Sequence, residues 1–144
     1  MKSGEMIKKS KGFFCVVLTI MFLILSSENC RSQTYEEVIP EEAHYIIQEQ
    51  KDNADFVILD VRTPEEFARE RIEGSVNIDI RAENFREEVE GLSREKIYLI
   101  YCRTASRSER AFTIFKELGF REVYHMLWGI KGWKEAGLPV VGDQ

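Results

Sequence analysis

The residues best equipped for chemistry lie together in the segment Cys102-Arg103-Thr104-Ala105-Ser106-Arg107-Ser108. They follow an apolar run, Ile97-Tyr98-Leu99-Ile100-Tyr101, that reads as a buried strand. They lead into a helical pattern from Ser106 to Leu118, with Ala111, Ile114, Phe115 and Leu118 on one stripe. A cysteine between a strand end and a helix start meets unpaired backbone N–H groups and the positive end of the helix dipole. A tight loop there can also turn successive N–H groups inward as an anion nest. Such surroundings favour the thiolate, the form of cysteine that attacks. Arg103 and Arg107 add formal charge, and their forks suit an oxyanion or a sulfonate. Thr104, Ser106 and Ser108 offer hydroxyl donors, and Ala105 completes the loop. A free cysteine is often only a small buried hydrophobe. A packing cysteine, however, belongs inside the run 97–101 rather than one step beyond it. The expectation is therefore Cys102 as catalytic nucleophile and residues 103–108 as its anion-binding loop.

Other reactive groups are sparse. His44 and His125 are far apart and have no Cys or His at ligand spacing, so each is read as structural and no metal site is expected. Cys15, Cys30 and Cys102 do not make a disulfide framework. A redox pair of Cys30 and Cys102 is disfavoured by their separation. Asp60 and Arg62 follow a second apolar run and are read as an ion pair tying a strand end to a neighbouring helix, in preference to an Arg62 aimed at the site. Glu65, Glu66 and Glu70 are expected to face solvent. No organic cofactor is implied.

The elements that must position this loop can be read from apolar periodicity. Pro40 opens a helix with Ala43, Ile46 and Ile47 on one face, ended by Asp52-Asn53. Phe56–Leu59 is a short continuous apolar strand, covered on both sides. Thr63-Pro64-Glu65-Glu66 is a helix start, with Thr63 as cap. Residues 75–78 form another strand, 81–90 a helix stopped by Gly91, 123–126 a last strand and 130–136 a last helix. This alternation predicts an α/β fold, a mostly parallel sheet with helices on both faces. Ligands of such sheets bind beyond the carboxyl ends of the strands, which is where Cys102 falls.

The N-terminus has another character. Lys2, Lys8, Lys9 and Lys11 precede the apolar run Phe13–Leu25, the pattern of an export signal. The run is shorter than the roughly 18 apolar residues needed to span a bilayer. Residues 1–30 are assigned as a signal or membrane anchor, 31–37 as a linker and 38–142 as the domain. Three outcomes stay open: cleavage near residues 27–33, lipidation of Cys30, or an uncleaved anchor. Each places the domain outside the cytoplasm, in the periplasm or cell envelope, with membrane attachment only through the N-terminus. The 144-residue chain carries a formal net charge of −5 despite this basic start, which argues against a nucleic-acid partner.

Four segments, in order and at matching spacing, resemble a single rhodanese domain from about Val38 to Val140. They are Asp60-Val61-Arg62 with Glu65-Glu66-Phe67; Ile72-Glu73-Gly74-Ser75-Val76-Asn77-Ile78; the loop Tyr101 to Ser108; and Gly129-Ile130 with Trp133 and Gly137-Leu138-Pro139. The resemblance implies a five-stranded sheet and a thiosulfate sulfurtransferase. Its reaction would carry sulfane sulfur as a Cys102 persulfide from thiosulfate or a persulfide donor to cyanide or a thiol. Small sulfur-containing anions and thiol acceptors are thus the expected partners. Related phosphatases and arsenate reductases hold the corresponding arginine on a loop one residue longer, wide enough for a tetrahedral phosphate. The shorter ring here suits sulfur. Active members usually carry Gly where Ala105 stands, and Trp128 replaces a common Gly near the mouth of the site. If the loop needs a positive φ at Ala105, its Cβ costs about 1 kcal/mol or more. These departures support the alternative, a non-catalytic module that binds a partner or senses sulfur species at the membrane. Retention of both Cys102 and Arg107 supports catalysis.

Overall fold

The computed structural model describes residues 32–142, so the export signal and Cys30 lie outside the described residues. Five strands alternate with five helices: β1 (Thr34–Val38), α1 (Pro40–Glu49), β2 (Phe56–Asp60), α2 (Pro64–Arg69), β3 (Val76–Asn77), α3 (Phe85–Glu90), β4 (Ile97–Tyr101), α4 (Ser106–Glu117), β5 (Glu122–Met126) and α5 (Gly129–Glu135). The sheet order is β1-β5-β4-β2-β3, and every pair is parallel. The expected architecture is therefore present.

The pleat of the central strands sorts side chains between two cores. Tyr98 and Ile100 of β4 join Leu59, Phe112 and Phe115 beneath α3 and α4. Leu99 and Tyr101 point the other way, to Ala43, Ile130 and Trp133 beneath α1 and α5. Cys102 continues the first alternation and is buried on the α4 side.

Three expectations are corrected. Residues 34–37, read as linker, belong to strand β1, which pairs with β5 from Thr34↔Glu122 to Val38↔Met126. The compact unit accordingly begins at Gln33 rather than Val38. The segment looks polar because it is an edge strand: Val38 is buried and the Tyr35 hydroxyl donates to the Phe120 carbonyl at 2.6 Å, while Glu36 and Glu37 are exposed. Helix α3 starts at Phe85 rather than residue 81, because the Asp79 carboxylate accepts from Arg81 N at 2.9 Å and holds a turn there. Strand β3 shrinks to Val76–Asn77.

The N-terminus of α2 forms as read. Thr63 Oγ1 accepts from Glu66 N at 3.4 Å, and the Glu66 carboxylate accepts from Thr63 N at 3.3 Å. This reciprocal cap fixes Glu66 as well as the helix. Asp60 and Arg62 are an ion pair at 2.6 Å, and Arg62 Nη2 also donates to the Glu70 carbonyl at the end of α2. The strand end is thus tied to the helix, as expected of that pair.

Candidate active site

Strand β4 delivers Cys102 at its carboxyl end, and α4 begins four residues later at Ser106. Between them the chain makes one strained turn. Ala105 has φ 92 and ψ −34, a region that L-residues rarely occupy. The Cβ of Ala105 therefore opposes the conformation that the loop requires, and the usual Gly would relieve it.

The Cys102 thiol is buried, with 1% of its surface exposed. Burial pushes its pKa up. The Ser108 hydroxyl, at 3.4 Å, and the backbone N–H groups of Ser108, Thr104 and Ala105 pull it down, and the net position is below the ordinary thiol value. The donors of its own loop and helix thus favour the thiolate over the thiol more than an ordinary cysteine would.

The loop carbonyls are engaged elsewhere. Cys102 O accepts from Ile130 N at 2.8 Å and Arg103 O from Lys131 N at 3.1 Å, both at the start of α5. Gly129 makes this approach possible. A Cβ there would overlap the Cys102 and Arg103 carbonyls, and its φ of +56 favours glycine independently. Trp128 precedes it with φ 59, and the residue is 57% exposed.

The remaining loop residues part company. Arg103 and Thr104 are exposed, as is Ser106 at the start of α4. Of the three hydroxyls expected as donors, Ser108 is the one that reaches the sulfur. Arg107 does not present a free fork. Its Nη1 and Nη2 donate to the two Glu66 oxygens at 2.6 and 2.8 Å. Hydrogen bonds from Arg107, ahead of its charge, hold the Glu66 carboxyl down at about 2, against burial, which pushes it up. The expectation that Glu66 faces solvent is corrected: its capping-box position turns it to Arg107, and the pair stitches α2 to α4. Glu70 likewise meets Lys134 at 2.8 Å. Arg62, Arg69 and Arg103 line a cleft of about 210 Å³ with Glu66 and Glu70, so charges of both signs meet there.

His125 was read only as a structural strand residue. It lies 3.0 Å through Nε2 from the Ser108 hydroxyl and 3.3 Å through Nδ1 from Glu37. Its partners are 17 and 88 residues away in sequence, so spacing carried no signal of them.

A family model described as a rhodanese-like domain matches residues 42–136. The chain is 33% identical over 106 residues to the thiosulfate sulfurtransferase GlpE of Actinobacillus succinogenes, covering 74% of this chain and 90% of that protein. It is 28% identical over 93 residues to a sulfurtransferase of Allochromatium vinosum, covering 65% and 85%. Among solved structures, a rhodanese-related protein from Thermoplasma volcanium superposes with a TM-score of 0.63 at 30% identity, covering 76% of this chain and all of that one.

Proposed function

The chain belongs to the rhodanese-like sulfurtransferase family, and we propose that it moves sulfane sulfur from thiosulfate or a persulfide to cyanide or a thiol, through a persulfide on Cys102. The observation that carries this reading is the buried Cys102 sulfur ringed by donors from Thr104, Ala105 and Ser108. In the first step the thiolate attacks the outer sulfur of the donor. An Sγ–S bond forms, the donor S–S bond breaks, and its electron pair leaves on sulfite when the donor is thiosulfate. In the second step the acceptor attacks the same sulfane sulfur, and the electron pair of the Sγ–S bond returns to Cys102. Donor N–H groups stabilise the sulfur anion at both ends of the cycle. Arg103, exposed on the loop itself, offers positive charge to an anionic donor.

The assay is thiocyanate release from thiosulfate and cyanide by the purified full-length chain. Cys102→Ala should abolish it, and thiosulfate should add the mass of one sulfur atom to the Cys102 peptide. Activity that survives Cys102→Ala sinks the mechanism. The strained Ala105 and the exposed Trp128 favour the second reading, a non-catalytic binding or sensing module. That reading requires an unreactive Cys102 at pH 6–7 toward alkylation.

The proposal sets this activity outside the cytoplasm, on the strength of the lysines and apolar run before residue 26. Among the described residues no helix is long and apolar enough to cross a membrane. Mass spectrometry of the mature N-terminus tests the placement and the role of Cys30; an unprocessed, unlipidated, cytoplasmic chain refutes it.

A further inference from the structure

Three adjacent strands put chemistry on the face that α4 covers. Cys102 follows Tyr98 and Ile100 on that face, and His125 follows Val123 on it. Glu37 stands opposite His125 in the β1–β5 register. Ser108, on the first turn of α4, closes the gap. The distances run 3.4 Å from Ser108 Oγ to Cys102 Sγ, 3.0 Å from Ser108 Oγ to His125 Nε2, and 3.3 Å from His125 Nδ1 to Glu37 Oε1. Cys102, Ser108 and His125 are 1%, 0% and 1% exposed, whereas the Glu37 side chain is 56% exposed. Phe112 stacks on the imidazole at 5.4 Å and closes it from solvent. A polar ring so deeply buried in an apolar core is destabilising unless both nitrogens are partnered, and here both are.

We infer that Ser108 and His125 form a buried proton relay that receives the Cys102 thiol proton, with Glu37 balancing the charged imidazole. The direction of each bond follows from what each group can do. The Glu37 carboxylate only accepts, so Nδ1 carries its hydrogen. Nε2 then offers a lone pair to the Ser108 hydroxyl, whose oxygen accepts from S–H. On ionisation the S–H bond breaks and that proton bonds to the Ser108 oxygen. The former hydroxyl proton bonds to Nε2. The product is a thiolate that accepts from Ser108 and an imidazolium that donates to Ser108 and to Glu37. One proton has moved, and the chain as a whole keeps its charge. The Ala105 carbonyl, 2.9 Å from the same hydroxyl, is the competing acceptor, and the relay is interrupted when the hydroxyl turns to it. Ser108 touches the reacting sulfur; His125 acts through Ser108 and is a positioning residue.

Other charges surround the relay. Arg107 of α4 acts on Cys102 but is neutralised by Glu66 of α2. Lys116 of α4 lies 3.9 Å from the Phe112 ring centroid, on which the imidazole also stacks. Asp60 and Arg62 at the end of β2 compensate each other, and Arg103 is exposed. All of these stay in place in the variants below.

The inference rests on Cys102 as nucleophile but not on any sulfur donor. Its test is therefore the iodoacetamide alkylation rate of the Cys102 peptide in the full-length chain, followed by mass spectrometry from pH 5 to 10. His125→Asn and Ser108→Ala should each raise the midpoint by about one pH unit, a tenfold loss of rate at pH 7. The double variant should be no slower than the slower single one, because the two act in series. Ser108→Thr should restore most of the rate. An unmoved midpoint in His125→Asn, or losses that multiply, overturns the relay. Sulfur transfer that fails while these couplings hold would sink the proposed function alone.

Discussion

Replacing Ala105 by Gly should stabilise the protein, against the usual trend for glycine. The φ of 92 and ψ of −34 lie toward the strained γ-turn region. Holding an L-residue in such a region costs about 1–3 kcal/mol. Glycine adopts it freely but loses about 0.4–1 kcal/mol more than alanine in chain entropy on folding. The difference favours Ala105→Gly by about 1 kcal/mol, or about 4 °C in Tm for a domain of this size. The Ala105 N–H that faces the sulfur is kept, so the rate of Cys102 alkylation should stay within about twofold of wild type, well under the tenfold that one pKa unit would bring. Thermal unfolding by circular dichroism, with alkylation of the same samples, makes the measurement. An equal or lower Tm would refute the reasoning, since it would show that no strain is released at this position.

Gly129→Ala should be among the most damaging substitutions. It combines a disfavoured positive φ with overlap of the Arg103 carbonyl oxygen, 2.6 Å from the added Cβ; a loss of about 3 kcal/mol or more is expected in urea unfolding, with loss of Cys102 reactivity. Asp60→Asn leaves the buried Arg62 charge unpaired and should cost about 3–5 kcal/mol in the same assay. Acid should weaken the α2–α4 stitch. The Glu66 carboxyl is lowered from 4.5 to about 2, so its contribution is complete above pH 4.5 and is lost as the pH falls toward 2. The amplitude, discounted for solvent at its exposed edge, is about 1–2 kcal/mol. Glu66→Gln should remove this part of the acid transition, as followed by urea midpoints between pH 2 and 6.

Much of this was legible where a signal was local. Strand β4 runs from Ile97 to Tyr101, the bounds of its apolar run, because a strand covered on both faces needs no polar alternation. The cap at Thr63 and the strain at Ala105 were also visible, since each depends on a few adjacent residues. Contacts between distant segments were not. Arg107 was read as a free fork, yet Glu66, 41 residues away, occupies it. Strand β1 was read as linker because two of its five residues, Glu36 and Glu37, face solvent and its partner lies at the far end of the chain. The partners of His125 were hidden for the same reason. Its alternation with Val123 was in the sequence, but the register that sets it beside Glu37 was not.

The polarity of the Cys102 loop follows from what surrounds it on both sides. A peptide loop carries as many carbonyls as N–H groups, so a donor-only surface around a sulfur anion requires the carbonyls to be satisfied elsewhere. Helix α5 takes those of Cys102 and Arg103, through Ile130 N and Lys131 N. The first turn of α4 takes that of Ala105, through Glu109 N at 2.8 Å. The sulfur is left facing the N–H groups of Thr104, Ala105 and Ser108. Two residues of positive φ, Ala105 and Trp128, stand where the chain must bend to make this separation, and Gly129 lets the two backbones meet. The strain at Ala105 and the close approach at Gly129 are thus two requirements of one arrangement. Relieving the first should leave the anion site intact, whereas filling the second should destroy it.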